Sequence, residues 1–450
     1  MKPPPDIAVP VAAAPSASVT RRYRSYVLWL LMLGCTLNFL NRHVVNILAE
    51  PIKHEFGLRD WQLGVLTGLS FAIFFGCLSL PVARLADRGN RSVVITAAVG
   101  TWSLFTALSG FVTSYVQLLV ARMFVGMGAA GGGPPSQSLI CDYTPKEKRA
   151  SALAFYTIGM PMGSLAGLAL GGLIAQEYGW RAAFIAAGVP GLLLAVLMAF
   201  TLRDPLRAST QSDHPAPPLR EALREIFSKR AFLLITAAGC LISFVNYGQA
   251  AFVASFFLRS HADGLAYHTI EIDRMLGLTL DAIGFLGLAL GLAKGLSGIV
   301  GTLIGGHATD FAVRSSYAAL AIIPAAVALL RIPLVIGALL VADSALALLL
   351  LTVHWFIMGC GAPAAYSSIH GLVQPRIRAT AVAIFMFVLN LVGLGLGPLC
   401  FGLLSDALSA SGLGPADGLR WSLILMSMLL LVAAMLSWSA RKALMAESVS

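Results

Sequence analysis

Apolar runs long enough to cross a lipid bilayer recur along almost the whole chain, and this recurrence constrains the fold more than any single motif. They begin near residues 25, 60, 93, 115, 150 and 180, and again near 231, 281, 317, 345, 379 and 419. Each membrane-spanning helix needs roughly 20 apolar residues, so twelve consume about 240 positions and leave only short connections. The charge content agrees, because 12% of the residues are Asp, Glu, Lys or Arg where a soluble domain carries about 25%. A water-soluble fold is excluded. The expected class is an all-α membrane protein, with twelve transmembrane helices in two pseudo-symmetric six-helix bundles.

The expected organisation is a tail over 1–24, a bundle over 25–203, a linker over 204–229, a second bundle over 230–442 and a tail over 443–450. Within the linker, LREALREIFSKR reads as a short amphipathic surface helix. The ninth run is interrupted by Arg331 and Pro333. The first run, preceded by Arg21, Arg22 and Arg24, is too long for a signal peptide and reads as the first span.

The net charge of +10 could suggest nucleic acid, but the positions of the basic residues say otherwise. With both termini inside, 21 of the 31 Lys and Arg fall on the cytoplasmic side, seven on the opposite side and three within spans. Arg331 and Arg259 are among the seven. Lys and Arg accumulate on the cytoplasmic side of membrane proteins, so the balance is a topology signal, with the bilayer and not nucleic acid as partner. The expected location is a bacterial inner membrane. The six cysteines show no paired spacing and read as small hydrophobes. No Walker motif and no metal-like cluster occurs, so no cofactor, metal or enzyme chemistry is expected.

The two halves echo one another. LPVARLADRGNR (80–91) aligns with LIGGHATDFAVR (303–314), matching Asp87 to Asp310 and Arg91 to Arg314. RASALA (149–154) matches RATAVA (378–383), which places Arg149 and Arg378 before the fifth and eleventh spans. Internal duplication is the mark of many secondary transporters, and it argues against a non-transporting receptor or scaffold.

Twelve spans, a central linker, the repeated Asp-to-Arg loop and GMPMGSLAGLALGG (159–172) together resemble the major facilitator superfamily. LNFLNRHVVNILAEPIKHEFGLRDWQLGVLTG, ARMFVGMGAAGGGPPSQSLICDYTP and GWRAAFIAAGVPGLL resemble the Spinster family within it. The resemblance implies proton-coupled movement of an amphiphilic anion such as sphingosine 1-phosphate or a lysophospholipid, by a monomer. It also implies a latch, in which Asp87, with Arg88 and Arg91, faces span eleven and Asp310, with Arg314, faces span five. The chain departs from the family pattern at two places: Asn41 stands where an Asp precedes Arg42, and Ala129 stands where a Glu follows Gly128. Both are proton-coupling positions, and neither residue present can carry a proton. No other carboxylate is expected deep in the first six spans, since Asp60 and Asp87 are expected at helix ends near water. The chain therefore reads as a transporter uncoupled from protons or biased toward one conformation, with a proton-linked symporter of a small organic anion or sugar acid as the alternative.

At 1.5 Å per residue, Arg122 lies about 10 Å and Ala129 about 20 Å below the outer end of the fourth span, with Arg42 at about 9 Å in the first. A charge at such depth is costly unless it is paired, hydrated or facing a cavity, so Arg42, Arg122 and Lys294 are read as holding an anionic head group. Tyr156, Asn246, Tyr247, Trp355, His354, His370 and Asn390 are further candidates for lining the cavity.

Overall fold

The computed structural model describes residues 20–145, 148–204, 219–373 and 378–447. Inside a bilayer no water pairs with backbone N–H and C=O groups, so apolar runs of this length close their own hydrogen bonds as helices. Ten helices of the described residues are long and apolar enough to cross a membrane. Two of them, over Ser151–Thr201 and Thr380–Glu447, are far longer than one crossing. The first is broken at Gly179 (φ 79°) and the second near Gly412 (φ 106°) and Gly414 (φ 77°). A residue with a Cβ rarely takes these positive φ values, so glycine permits the chain to turn back there. Twelve spans result, arranged as two bundles of six.

Spans 1 to 4 comprise Arg21–Ile47, then Asp60–Gly64 continued through Ser70–Arg88, then Arg91–Leu108, then Tyr115–Ala129 followed by Gly133–Tyr143. Spans 5 and 6 share Gly159–Thr201 on either side of Gly179. Span 7 is Arg230–Ser260, span 8 Ala282–Ser315, span 9 Ala319–Leu340 and span 10 Ser344–Leu372. Span 11 runs from Arg378–Leu389 through a π-helical turn at Asn390–Leu396 to Gly397–Leu408, and span 12 from Gly414–Ser427 into Leu429–Glu447. Several starts are fixed locally by side-chain caps. Asn90 accepts from the backbone of Ser92 and Val93, Ser114 from Gln117, Asp281 from Gly284 and Asp343 from Leu346. Each satisfies amides that the first helical turn leaves without partners. Span 4 breaks just after Ala129 because Pro134 and Pro135 cannot donate into the preceding turn.

Span 1 is held in place by span 5. Gly159, Gly163 and Gly167 recur every four residues on one helical face, and a methyl group at Gly163 would lie 2.2 Å from the carbonyl oxygen of Thr36. In lipid, where no hydrophobic force draws helices together, such small residues let backbones approach closely. The same contact sets the depth of Arg42.

Two helices outside the spans complete the fold. Leu219–Ser228 is the short helix expected in LREALREIFSKR. Ala262–Leu276, between spans 7 and 8, was not foreseen; its His268 bonds Ser344 at 3.0 Å.

Candidate functional site

The starts of spans 1 and 7 and the ends of spans 6 and 12 share one face of the bundle, here the terminal face. Tyr23 donates to the carbonyl of Thr201 at 2.7 Å, and Glu447 accepts from the amide of Ala231 at 3.0 Å. Between this face and the opposite, far face, the two halves meet around a group of cations. Arg122 is wholly buried, and its Nη1 donates to the backbone carbonyl of Asn41 at 3.0 Å. Its Nε and Nη2 have no partner, nor do the side-chain amide atoms of Asn41 or Nη2 of Arg42. Arg42 lies half-buried over the rings of Phe71 and Tyr247, at 5.1 and 4.9 Å from their centroids. Its charge acts on both Arg122 and Lys294 of span 8. Ala129, about two helical turns from Arg122 on span 4, is buried and has no group that could neutralise a guanidinium. A narrow cleft beside Arg42 is lined by His43, Asn46, Thr67, Tyr247 and Leu394, so spans 1, 2, 7 and 11 all contribute to it.

The sequence-predicted residues thus fall into separate places. Arg42 and Lys294 lie where the halves meet, Arg122 bonds the backbone of Asn41 inside the first half, and Ala129 is buried further along span 4. Tyr156 is buried inside the first half against Cys35 and Ser136. Asn246 turns away from the interface and accepts from Arg331 within the second half, where Trp355 is also buried. Arg331, counted by sequence among the connections of the far side, is instead fully buried in span 9. Its Nη2 also meets Nε2 of His354 at 3.1 Å, while its Nε and Nη1 have no partner. Long apolar flanks on both sides of Arg331 carry it into the membrane despite its charge.

At the terminal face Arg91 binds Asp204 through Nε and Nη2 and also pairs with Asp142, all within the first half. Arg149 donates to the carbonyls of Cys141 and Thr144 at 2.9 and 3.2 Å. Asp310 and Arg314 are exposed. The side chains of Asp87, Arg88 and Arg378 lie outside the described part of the structure.

The far face holds a cluster that was not foreseen. Asp60 is 1% exposed, not at a watery helix end as its position in sequence suggested. Arg259 of span 7 donates to its two carboxylate oxygens at 2.8 and 2.9 Å and to those of Glu50 at 2.8 and 3.0 Å. Lys53 and Ser405 also donate to Asp60. Asp406 of span 11 accepts from the amides of Asp60 and Trp61, capping span 2 across the interface at 3.0 and 2.8 Å. Alongside, Gln176 joins the Thr279 carbonyl and the Asp281 amide at 2.9 Å each. Among the described residues, every hydrogen bond and ion pair joining the halves lies at this face. On the terminal side Leu85 and Phe311 are 62% and 73% exposed.

The Major Facilitator Superfamily model matches residues 31–272. The chain belongs to this superfamily. Its relatives include an MFS-type efflux pump of Mycolicibacterium smegmatis, 33% identical over 90% of each chain. The sphingosine-1-phosphate transporter SPNS2 of Danio rerio is 24% identical over 85% of this chain and 76% of its own. A crystal structure of a bacterial homolog of the human lysosomal transporter Spinster, in an inward-facing and unoccupied conformation, superposes with a TM-score of 0.84. That structure is 28% identical and covers 96% of this chain and 99% of its own. As a member of this superfamily the protein is an integral membrane transporter and not an enzyme.

Proposed function

We propose that this superfamily member is a secondary transporter of an amphiphilic anion, a lysolipid or a molecule like sphingosine 1-phosphate, moved by alternating access. The observation that carries this reading is the cationic group between the halves. Arg42, Arg122 and Lys294 converge without a carboxylate, and Arg122 keeps two unpartnered nitrogens. An uncompensated buried cation is costly, and an anion arriving from water removes that cost. The Phe71 and Tyr247 rings beside Arg42 offer apolar surface where a lipid chain would join its head group.

The two halves would rock about this site. In the state described, bonding at the far face supports closure there and access from the terminal face. The excess of basic residues at that face supports its being cytoplasmic, in a bacterial inner membrane, with the protein acting as a monomer. Asp87, Arg88, Arg91, Arg149, Asp310, Arg314 and Arg378 would close the terminal face in the alternate state. With Asn41 and Ala129 in place, the carboxylate-based proton relay is missing.

Thermal-shift titration of the purified protein with lysophosphatidylglycerol and with galactarate tests the substrate class, because a ligand that binds the folded state raises its melting temperature. Stabilisation by the lysolipid alone is expected; stabilisation by the sugar acid alone would favour a small-anion symporter and refute the lipid assignment. Arg122→Ala should weaken lysolipid binding by about 10- to 100-fold, the effect of losing one or two charge-assisted contacts.

A further inference from the structure

We infer that His43 is the proton-binding site of this chain, charged when an anion settles between Arg42 and Lys294. This deepens the anion-transport reading and rests on it. His43 stands next to Arg42 on span 1 and forms part of the wall of the cleft between the halves. It is a titratable side chain on the wall of the cleft, where Asn41 and Ala129 cannot serve.

Its surroundings suit a ring that changes charge. The Asn46 Nδ2 lies 3.4 Å from His43 Nδ1. In the neutral ring that amide donates and Nδ1 accepts, which leaves the ring proton on Nε2. A carboxamide carries both a donor and an acceptor, so turning Asn46 presents its Oδ1 to the N–H of the charged ring. Phe39 stacks on the imidazole at a centroid distance of 6.4 Å. One partner therefore serves both protonation states, without any movement of span 1.

The charges that act on His43 are Arg42 on its own helix and Lys294 of span 8. Span 5 presents Gly167, whose added methyl would lie 3.3 Å from the His43 Cβ. Span 2 presents Thr67, span 7 Tyr247, Ala250 and Ala251, and span 11 Leu394 with Pro398. None of these is charged. In the empty site two cations oppose a third. An anion between Arg42 and Lys294 offsets them, and a proton from water then adds to the imidazole nitrogen. The anion's departure restores the repulsion and returns that proton to water. Anion and proton thus enter and leave together, and the charge of the site is unchanged by loading. Of the other buried imidazoles, His354 contacts Arg331 and Gln249 inside the second half and His261 ends span 7, and neither lines this cleft.

The test is proton uptake during binding of lysophosphatidylglycerol, whose phosphodiester does not itself titrate near neutral pH. The full chain in weakly buffered detergent solution is titrated with the lipid while an indicator dye reports pH, and affinity is followed in parallel between pH 5.5 and 8.5. The expected result is uptake of about one proton per bound lipid, with affinity falling up to about tenfold per pH unit on the alkaline side. Between pH 5.5 and 7, where the Lys294 ammonium stays charged, His43→Gln should bind the lipid with no uptake and with affinity independent of pH. Wild-type uptake in His43→Gln, or lipid binding to the wild type without uptake, overturns the assignment while leaving the anion reading intact. Failure of the wild type to bind the lipid overturns both. Should His43→Gln not fold, Asn46→Leu carries the test. Loss of the acceptor for the charged ring should move uptake to lower pH, and an unmoved midpoint overturns the proposal.

Discussion

Arg259→Ala should release the far face. In the described state this guanidinium makes four hydrogen bonds to Glu50 and Asp60, all between 2.8 and 3.0 Å, and both acids are less than 10% exposed. Removing one partner of a buried, hydrogen-bonded pair costs about 3 to 5 kcal/mol, because the charges left behind have neither partner nor water. Lys53 remains beside Asp60 and Asp406 still caps span 2, which favours the lower end of that range. A state open at the far face hydrates Glu50 and Asp60 and escapes the cost, so the equilibrium moves toward it by about two to three decades at that lower end. Spin labels at Tyr178 and Met275, both exposed at the far face, should move apart, while labels at Leu85 and Phe311 on the terminal side should approach. Arg259→Lys should fall between, since an ammonium keeps the charge but not the planar fork that holds two carboxylates. Unchanged distance distributions in folded Arg259→Ala would show that the cluster is not what closes this face.

Three other outcomes are expected. Asn41→Asp combined with Ala129→Glu places acids beside the unpartnered Nε and Nη2 of Arg122; anion affinity at pH 7 should fall about tenfold or more and recover as the acids protonate, and equal affinity at all pH values would refute the competition. Gly163→Leu forces side-chain atoms into the backbone of span 1 and should destabilise the first half by about 1 to 3 kcal/mol or more, read as a lower melting temperature; an unchanged value would mean that spans 1 and 5 are not tightly seated. On the far-face connection, the Arg181 guanidinium hydrogen-bonded to Glu55 holds that carboxyl below its ordinary range. A depressed carboxyl stabilises the fold above its unfolded value and loses that contribution as pH falls through the folded one. Both side chains are more than one-third exposed, so the effect should stay below about 1 kcal/mol, confined below about pH 4.5, and Arg181→Ala should reduce it in an acid melting series, leaving the part due to the Trp180 indole.

Arg42, Arg122 and Lys294 could be singled out because a charge inside an apolar run is anomalous whatever surrounds it. His43 could not be singled out in the same way. A lone histidine in a span usually packs or faces the interface, and its place in the cleft depends on how spans 2, 7 and 11 seat against span 1. Asn246 illustrates the opposite error, since a polar side chain in a span can serve an inward partner as readily as a cavity, and Arg331 claims it here.

The sequence by itself determined that the chain is a membrane protein of twelve spans, where those spans begin, and that its halves repeat. Those properties follow from transfer of side chains and backbone from water to lipid, which depends on what lies within some 20 consecutive residues. Only the tertiary structure decided which charges meet. Arg259 and Asp60 lie 199 residues apart along the chain, and Ser405 and Asp60 345 apart. Their pairing depends on how spans 7 and 11 of one half seat against span 2 of the other. Burial of Arg331, closure of the far face and the placing of Lys294 near His43 arise in the same way, because electrostatic energy in a low-dielectric interior depends on distances through space rather than along the sequence.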